Sequence, residues 1–201
     1  LPDQTFDIVD YGAVDGGKTA NTQAIAKAIA EAKGAGGGTV NIPPGKWLTG
    51  PIRLENNINL HLQKGATLLF SQNRADYRPA VLSRHEGIEC MMYSPFIYAD
   101  GKTNIAITGE GVLDGQGDPW WSMPEKKGAN LKLSQMAAQG VPVEKRIFDG
   151  TTPDGGLRPP FFQPMNCKNV LVEGVEFRFG AFWTITPCYC ENVTIRKVKV
   201  T

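Results

Sequence analysis

The sequence has almost no excess of charge of either sign and no long apolar segment. Its 201 residues include 21 basic and 20 acidic side chains, a net charge of +1. This balance excludes the strongly basic surface that is typical of nucleic-acid-binding proteins. No apolar run approaches the about 20 residues that cross a bilayer, so no membrane span is expected. The first residues, LPDQTFDIVD, lack the basic-then-apolar profile of a signal peptide.

The sequence also lacks the short motifs that mark several classes of enzyme. It has no Ser nucleophile elbow, no Gly-rich phosphate loop and no metal-ligand spacing, so no metal site is assigned. Its four cysteines fit neither a zinc ribbon nor a dense disulfide framework. Three interpretations of them are open: buried free thiols, a disulfide, or a metal site. The cysteines are Cys90, Cys167, Cys188 and Cys190.

What the sequence does contain is glycine, proline and one clear helical pattern. The 23 Gly and 14 Pro indicate many tight turns and favour β architecture. Residues 20–33 are rich in Ala and place apolar side chains on one stripe at helical spacing. Asn21 or Thr22 can cap this helix, and the glycines of 34–38 end it. A helix of this length must pack against something, and we expect it to cap the end of a larger fold.

Most of the remaining sequence consists of short strand patterns with a common opening: Asn, apolar, any residue, apolar. Asn169 and Asn192 are 23 residues apart, as are Cys167 and Cys190. A period in the low twenties predicts a solenoid in which equivalent strands of successive coils stack in parallel. Asn suits the bends because it tolerates a left-handed backbone. We expect the chain, 1–201, to form part of one such domain.

Two long segments interrupt the repeat, at about 70–98 and about 115–163. The same repeat resumes after each of them, so they are insertions in one domain and not domain boundaries. Long insertions on a rigid scaffold commonly form the walls of a site. If they block one end of a groove, they favour attack at the end of a polymeric substrate.

Candidate binding residues lie in or near these insertions. His85 is flanked by Arg84 and Glu86, and two interpretations are open: a structural ion-pair loop, or a wall that faces a ligand. Arg158 lies near the end of the second insertion, and Trp183 belongs to a segment that follows it. Arginine suits a carboxylate in a bidentate grip, and an aromatic face suits the apolar face of a sugar. We predict substrate contacts for Arg84, Glu86, Arg158 and Trp183.

Several stretches together resemble the N-terminal portion of the polygalacturonase-like glycoside hydrolases, family 28. The stretches are FDIVDYGAVDGGKTANTQAIAKAI (6–29), GGGTVNIPPGKWLTGPIRLENNINLHLQKGATLLFS (36–71), ITGEGVLDGQGDPWW (107–121) and RPPFFQPMNCKNVLVEGVEFRFGAFWTITPCYCENVTI (158–195). The resemblance implies an all-β fold, a right-handed parallel β-helix, with the 20–33 helix capping its N-terminal end. It implies hydrolysis of α-linked galacturonic acid in pectin, with inversion and without a cofactor, by a secreted or periplasmic protein.

The catalytic motifs of that family are absent from this sequence. It has no Asp-Asp pair, no Gly-His-Gly and no Arg-Ile-Lys, and its only Asn-Thr is followed by Gln23. We therefore expect no catalytic residue in this chain; the catalytic aspartates should follow Thr201, in a missing C-terminal half of the same β-helix. Many relatives also have His where this chain has Thr186, which leaves the sugar linkage open.

Two other functions are compatible with the same pattern. A non-catalytic carbohydrate-binding or adhesin β-helix would need no catalytic aspartates. A pectate lyase would need Ca²⁺ and an arginine base. For the hydrolase that the resemblance implies, the expected partner is a pectic polysaccharide or oligogalacturonide.

Overall fold

The computed structural model describes residues 2–123 and 128–201. In chain order the strands are β1 (Thr5–Asp7), β2 (Gly38–Ile42), β3 (Gly45–Thr49), β4 (Ile52–Arg53), β5 (Ile58–Leu62), β6 (Ala66–Phe70), β7 (Val81–His85), β8 (Ile88–Met92), β9 (Ile97–Asp100), β10 (Thr103–Gly109), β11 (Val112–Asp114), β12 (Ile147–Phe148), β13 (Phe162–Met165), β14 (Lys168–Glu173), β15 (Glu176–Arg178), β16 (Glu191–Arg196) and β17 (Lys199–Val200). The α-helices are α1 (Thr22–Gly34), α2 (Asp118–Trp121) and α3 (Ala129–Ala138). None of the helices in these ranges has both the length and the apolar character of a membrane span.

The strands wind into coils that each contribute to three parallel sheets. Sheet A has the order β1-β2-β5-β10-β14-β16, and sheet B has the order β3-β6-β11-β15-β17. Sheet C contains β4, β9 and β13, and parallel bridges from Phe162 to Ile185 and from Met165 to Cys188 extend it to the next coil. Each coil runs from A to B to C. The predicted right-handed parallel β-helix is confirmed.

The asparagines of the repeat form a hydrogen-bonded ladder along one edge of sheet A. Asn57, Asn104, Asn169 and Asn192 all have left-handed backbones, with φ between 57° and 60°. The amide of each donates to the side-chain oxygen of the previous one, at 2.9, 2.8 and 2.7 Å in turn. β14 and β16 pair directly, with Val170 opposite Val193. The 23-residue spacing is therefore one coil.

Inside the solenoid, apolar residues stack on apolar residues from coil to coil. One such column in sheet A runs from Val40 through Leu60, Ile107 and Val172 to Ile195. The first four are at most 1% exposed, whereas Ile195, in the last of the described coils, is 45% exposed. Because this burial is continuous along the axis, each coil depends on its neighbours for its core.

The helix α1 packs one apolar face against the first coil. Ala24, Ile25, Ala28, Ile29 and Ala32 are its buried residues, and the bounds Thr22–Gly34 agree with the predicted 20–33 to within two residues. The predicted side-chain cap is wrong. Asn21 occupies the N-cap position without a capping hydrogen bond; its Oδ1 instead accepts from the backbone N–H of Val14 at 2.7 Å. Asn21 thus anchors the loop that precedes the helix.

Both insertions leave the solenoid at the same corner, between sheets B and C, in successive coils. They occupy 71–96 and 115–161, close to the predicted 70–98 and 115–163, although residues 124–127 lie outside the described residues. The first forms the antiparallel hairpin β7–β8, and β12 of the second adds to β8 in parallel. A shared core that includes Cys90, Leu133 and Phe148 joins them. The two insertions form one lateral unit.

The last coils carry an ion-pair cluster that predicts acid sensitivity. The Arg178 guanidinium bonds Glu176 at 2.7 Å, and the Lys199 ammonium lies 3.2 Å from the same carboxylate. The hydrogen bond from Arg178, opposed by desolvation and assisted by Lys199, lowers the pKa of Glu176 to about 2. A lowered folded-state pKa gives stability that is present above the unfolded value, 4.5, and is lost as the pH falls towards the folded value.

We therefore expect the melting temperature to fall between about pH 4.5 and pH 2, and to fall less at high salt, because the cluster is partly exposed. Thermal denaturation as a function of pH measures this. Glu176→Gln is the matched control, since it removes the titrating group. If the pH dependence of this variant equals that of the unaltered chain, the cluster is not its source.

Candidate functional site

The candidate site lies at the end of the outer face of sheet C. On this face Arg53 of β4 pairs with Tyr98 of β9, and Tyr98 pairs with Gln163 of β13. The alternate residues, such as Ile97 and Phe162, point into the core and are fully buried. The outward side chains of successive coils therefore form a row along the solenoid axis, and a groove that binds a polymer can run beside this row.

The hairpin β7–β8 covers most of this outer face. The Tyr98 hydroxyl donates to the carbonyl of Leu82 at 2.7 Å, and the Ser83 hydroxyl donates to Oε1 of Gln163 at 2.6 Å. Ser83 and Gln163 are both 0% exposed. Leu82 contacts the coil that contains β9, and Ser83 contacts the next coil, which contains β13. The strand β7 therefore runs along the solenoid axis. The turn of the hairpin reaches the following coil.

At that turn the hairpin meets the segment that links sheet B to sheet C in the next coil. The His85 ring stacks on Phe182, with centroids 4.8 Å apart and planes 18° apart. The Arg84 guanidinium carbon lies 5.5 Å from the centre of the Tyr189 ring, and the Tyr189 hydroxyl donates to Glu89 at 2.9 Å. These three contacts hold the turn of the hairpin against the solenoid.

Phe182 brings two of the predicted site residues together. Trp183 stacks on it with centroids 5.1 Å apart and planes 10° apart. The Arg158 guanidinium carbon lies 4.9 Å from its ring centre, and Nη1 of Arg158 donates to the carbonyl of Ala181 at 3.3 Å. Trp183 remains 52% exposed. We call Arg158, Phe182 and Trp183 the cation–aromatic platform.

His85 supports this platform from a buried position. It is 4% exposed, and its Nε2 lies 3.1 Å from Oδ1 of Asn130 in α3. Burial lowers the pKa of His85, opposed by the nearby Glu86 carboxylate and the Asn130 hydrogen bond and assisted by Arg158. Burial thus favours the uncharged ring, and Oδ1 of Asn130 is placed to accept a hydrogen bond from Nε2.

Neither open interpretation of the His85 segment describes it fully. Among the residues that the structure describes, no ion pair joins Arg84 to Glu86 or Glu89. Instead, Arg84 and Glu89 both contact Tyr189. Glu86 is exposed in the turn, with a left-handed φ of 48°. Thus Arg84 and Glu86 flank the platform, whereas Arg158 and Trp183 belong to it.

Sequence reasoning missed Tyr189 and Asn130. Tyr189 is 54% exposed and has a left-handed φ of 56°. Its neighbours in sequence, Cys188 and Cys190, give no sign of its role, because Arg84 and Glu89, which it contacts, lie about 100 residues earlier in the chain. Asn130 lies in an amphipathic helix and offers no local signal, because its role depends on a residue 45 positions away.

The cysteines are free thiols. Cys90, Cys167 and Cys188 are buried, and Cys190 is half-buried. Burial raises the pKa of Cys90 to about 12. Within the described part of the chain, no group of three or more His, Cys, Asp and Glu side chains is placed to hold a metal ion. The interpretation as free thiols, buried in three of the four cases, is the one that the structure shows.

Comparison with known proteins agrees with this architecture. A family model described as rhamnogalacturonase A/epimerase, pectate lyase-like, matches residues 5–63. The crystal structure of a hyperthermoactive exopolygalacturonase from Thermotoga maritima superimposes with a TM-score of 0.94 at 40% identity, over 100% of this chain and 47% of that one. The chain is a homologue of the polygalacturonases. The resemblance found in its sequence is thereby confirmed.

Two further polygalacturonase relatives show how much of such a protein the chain represents. A probable polygalacturonase from Vitis vinifera is 27% identical over 202 residues, which are 96% of this chain and 36% of the relative. An exo-poly-alpha-D-galacturonosidase from Dickeya chrysanthemi is 34% identical over 122 residues, 57% of this chain and 20% of the relative. The chain spans less than half the length of each of these three relatives.

Proposed function

We propose that the protein to which this chain belongs hydrolyses α-linked galacturonic acid in pectin, with inversion and without a cofactor. The observation that carries the proposal is the cation–aromatic platform at the end of the sheet C face, on a fold shared at 40% identity with an exopolygalacturonase. In this proposal the chain supplies the N-terminal coils and one wall of the cleft. Because pectin is a polymer, the proposed place of action is outside the cytoplasm, as a secreted or periplasmic protein.

The platform suits an acidic sugar for reasons of charge and shape. The Arg158 guanidinium is planar and can bind a galacturonate carboxylate through two parallel hydrogen bonds. The exposed Trp183 face lies beside it and can pack on the C–H face of the sugar ring. Inverting hydrolysis also needs two carboxyl groups about 6.5–9.5 Å apart. We assign these groups to a part of the protein outside the 201 residues.

The hairpin β7–β8 favours release of single sugars from a chain end. It lies on the outer face of sheet C from Tyr98 to Gln163 and ends at the platform. A polysaccharide that entered along sheet C would meet the turn of this hairpin and could not continue past it. We therefore propose exo attack, which is the mode named for the Thermotoga maritima and Dickeya chrysanthemi relatives.

Digestion of polygalacturonate by the full-length protein tests both parts of the proposal. The expected result is free galacturonate from the earliest time points, with little loss of viscosity. The 201-residue chain alone should release no reducing sugar. An early loss of viscosity would contradict exo attack, and products with a new double bond would show a lyase instead of a hydrolase.

A further inference from the structure

A pocket lies at the end of the hairpin opposite the platform, on the first two coils. Its volume is about 470 Å³, and its lining includes Arg53, Tyr98, Lys102 and the segment 79–82. We propose that this pocket, here called the upstream pocket, binds a uronic acid residue of a pectic oligosaccharide. The ligand class rests on the proposed function, whereas the location and the charge of the pocket do not.

Arg53 is the group in the upstream pocket that points to a carboxylate ligand. Lys102 is paired with Glu55 at 2.8 Å, and Asp100 accepts a hydrogen bond from the Asn166 amide at 3.0 Å. Among the described residues, no carboxylate lies within 4 Å of the Arg53 guanidinium. The lining thus carries two cations, Arg53 and Lys102, and two carboxylates, Glu55 and Asp100. Of the two cations, Arg53 is the one without an ion pair to another described residue, and its guanidinium can bind an anion.

Arg53 is also held in a defined orientation. Its guanidinium carbon lies 5.5 Å from the centre of the Tyr98 ring. Tyr98 is 4% exposed, and the carbonyl of Leu82 fixes its hydroxyl. A guanidinium that rests on a fixed ring loses less side-chain entropy when it binds a ligand. This arrangement favours the two parallel hydrogen bonds of a bidentate carboxylate contact.

The opposite wall of the pocket is apolar and suits the carbon face of a sugar. It is formed by Pro79, Ala80, Val81 and Leu82, which lead into and begin β7. An apolar wall that faces a few polar groups is the usual composition of a small-molecule site, and the volume falls in the usual range of about 300–1,000 Å³. The Glu55 and Asp100 carboxylates can accept hydrogen bonds from sugar hydroxyls.

The hairpin separates the upstream pocket from the platform. Val81 and Leu82 line the pocket, while Arg84 and His85, farther along the same strand, contact Tyr189 and Phe182. A ligand in the upstream pocket therefore does not occupy the platform. Such a pocket could hold the protein on a pectin chain while the platform receives another chain end.

Titration of the full-length protein with galacturonate, followed by NMR of the arginine side-chain N–H groups, tests the proposal. Galacturonate should shift the signals of both Arg53 and Arg158, and galactose, which has no carboxylate, should shift neither. Arg53→Gln should weaken binding at the upstream pocket by at least about tenfold, because a charge-assisted contact is lost. In the Arg53 variants this affinity is measured from the backbone N–H signal of Tyr98, which contacts Arg53 in the unaltered chain. Arg158→Gln is the matched control and should leave the Arg53 response unchanged.

Arg53→Lys covers the case in which Arg53→Gln is unstable. It keeps the charge and loses the planar fork, so its affinity should fall by severalfold. Equal shifts with galactose, an Arg53 signal that galacturonate does not move, or an unchanged affinity in Arg53→Lys would each overturn the proposal. If the protein fails to cleave polygalacturonate while Arg53 still responds, the proposed function fails and the upstream pocket stands.

Discussion

Replacement of Gly109 by alanine is expected to prevent stable folding, with a loss of more than about 4 kcal/mol in the free energy of unfolding. Gly109 has a φ of 113°, and a Cβ added there would lie 1.9 Å from the carbonyl oxygen of Leu62 in the previous coil. Backbone atoms of a paired strand cannot move aside as a side chain can. The substitution must therefore separate the two coils or break the bend between sheets A and B.

Gly101→Ala separates the cost of the clash from that of the backbone conformation. Gly101 also has a left-handed φ, 64°, but a Cβ there would meet no atom within 4 Å. Its replacement should cost only about 1–2 kcal/mol. Urea denaturation of both variants, followed by circular dichroism, measures the difference. Equal losses would show that steric contact between coils does not control this bend.

The scaffold could be predicted from sequence because its information is repeated and local. The asparagine at each bend must adopt a left-handed backbone, and in one coil after another the same residue meets the same requirement. The 23-residue period can therefore be recognised from Asn169 and Asn192 in the sequence alone, without knowledge of the contacts between them. The helix α1 was predictable for a similar reason, since its apolar stripe lies within 13 residues.

The arrangement of the site could not be predicted in this way. The segment VLSRH has no apolar–polar alternation that would predict β7. The residue that Ser83 contacts on the outer face of sheet C, Gln163, lies 80 residues away along the chain. The burial of His85 depends on Phe182 and Asn130, which come from two other parts of the chain. The residue types therefore predicted sugar-binding chemistry, whereas the docking of the hairpin determined which of them meet.

That docking is also the reason why we propose different roles for Arg84 and Arg158. Arg84 is occupied with the Tyr189 ring and helps to fix the turn. Arg158 rests on Phe182, with one nitrogen bonded to the Ala181 carbonyl, and its remaining N–H groups can reach a ligand beside Trp183. Arg158 is therefore the residue for which we expect the larger effect on activity.

In the full-length protein, Arg158→Gln is expected to lower kcat/KM on polygalacturonate by about 10- to 100-fold. The reason is the loss of a charge-assisted, bidentate contact, worth about 1.5–3 kcal/mol. The stability of the fold should change little, since the guanidinium is only half-buried and its contact with Phe182 contributes about 0.5–1 kcal/mol. Initial rates of galacturonate release, with a thermal melt of each variant, measure both quantities.

Two controls separate carboxylate binding from a structural role of Arg158. Arg158→Lys keeps the charge without the planar fork, and its activity should lie between those of the unaltered protein and Arg158→Gln. Arg196→Gln removes an arginine from sheet A, where Arg196 pairs with Glu173, and it should leave kcat/KM unchanged. The effect of Arg158→Gln should also shrink on methyl-esterified substrate, which offers no carboxylate. If esterified and free substrates lost activity equally, Arg158 would act by holding Phe182 and Trp183 in place and not by binding the acid group.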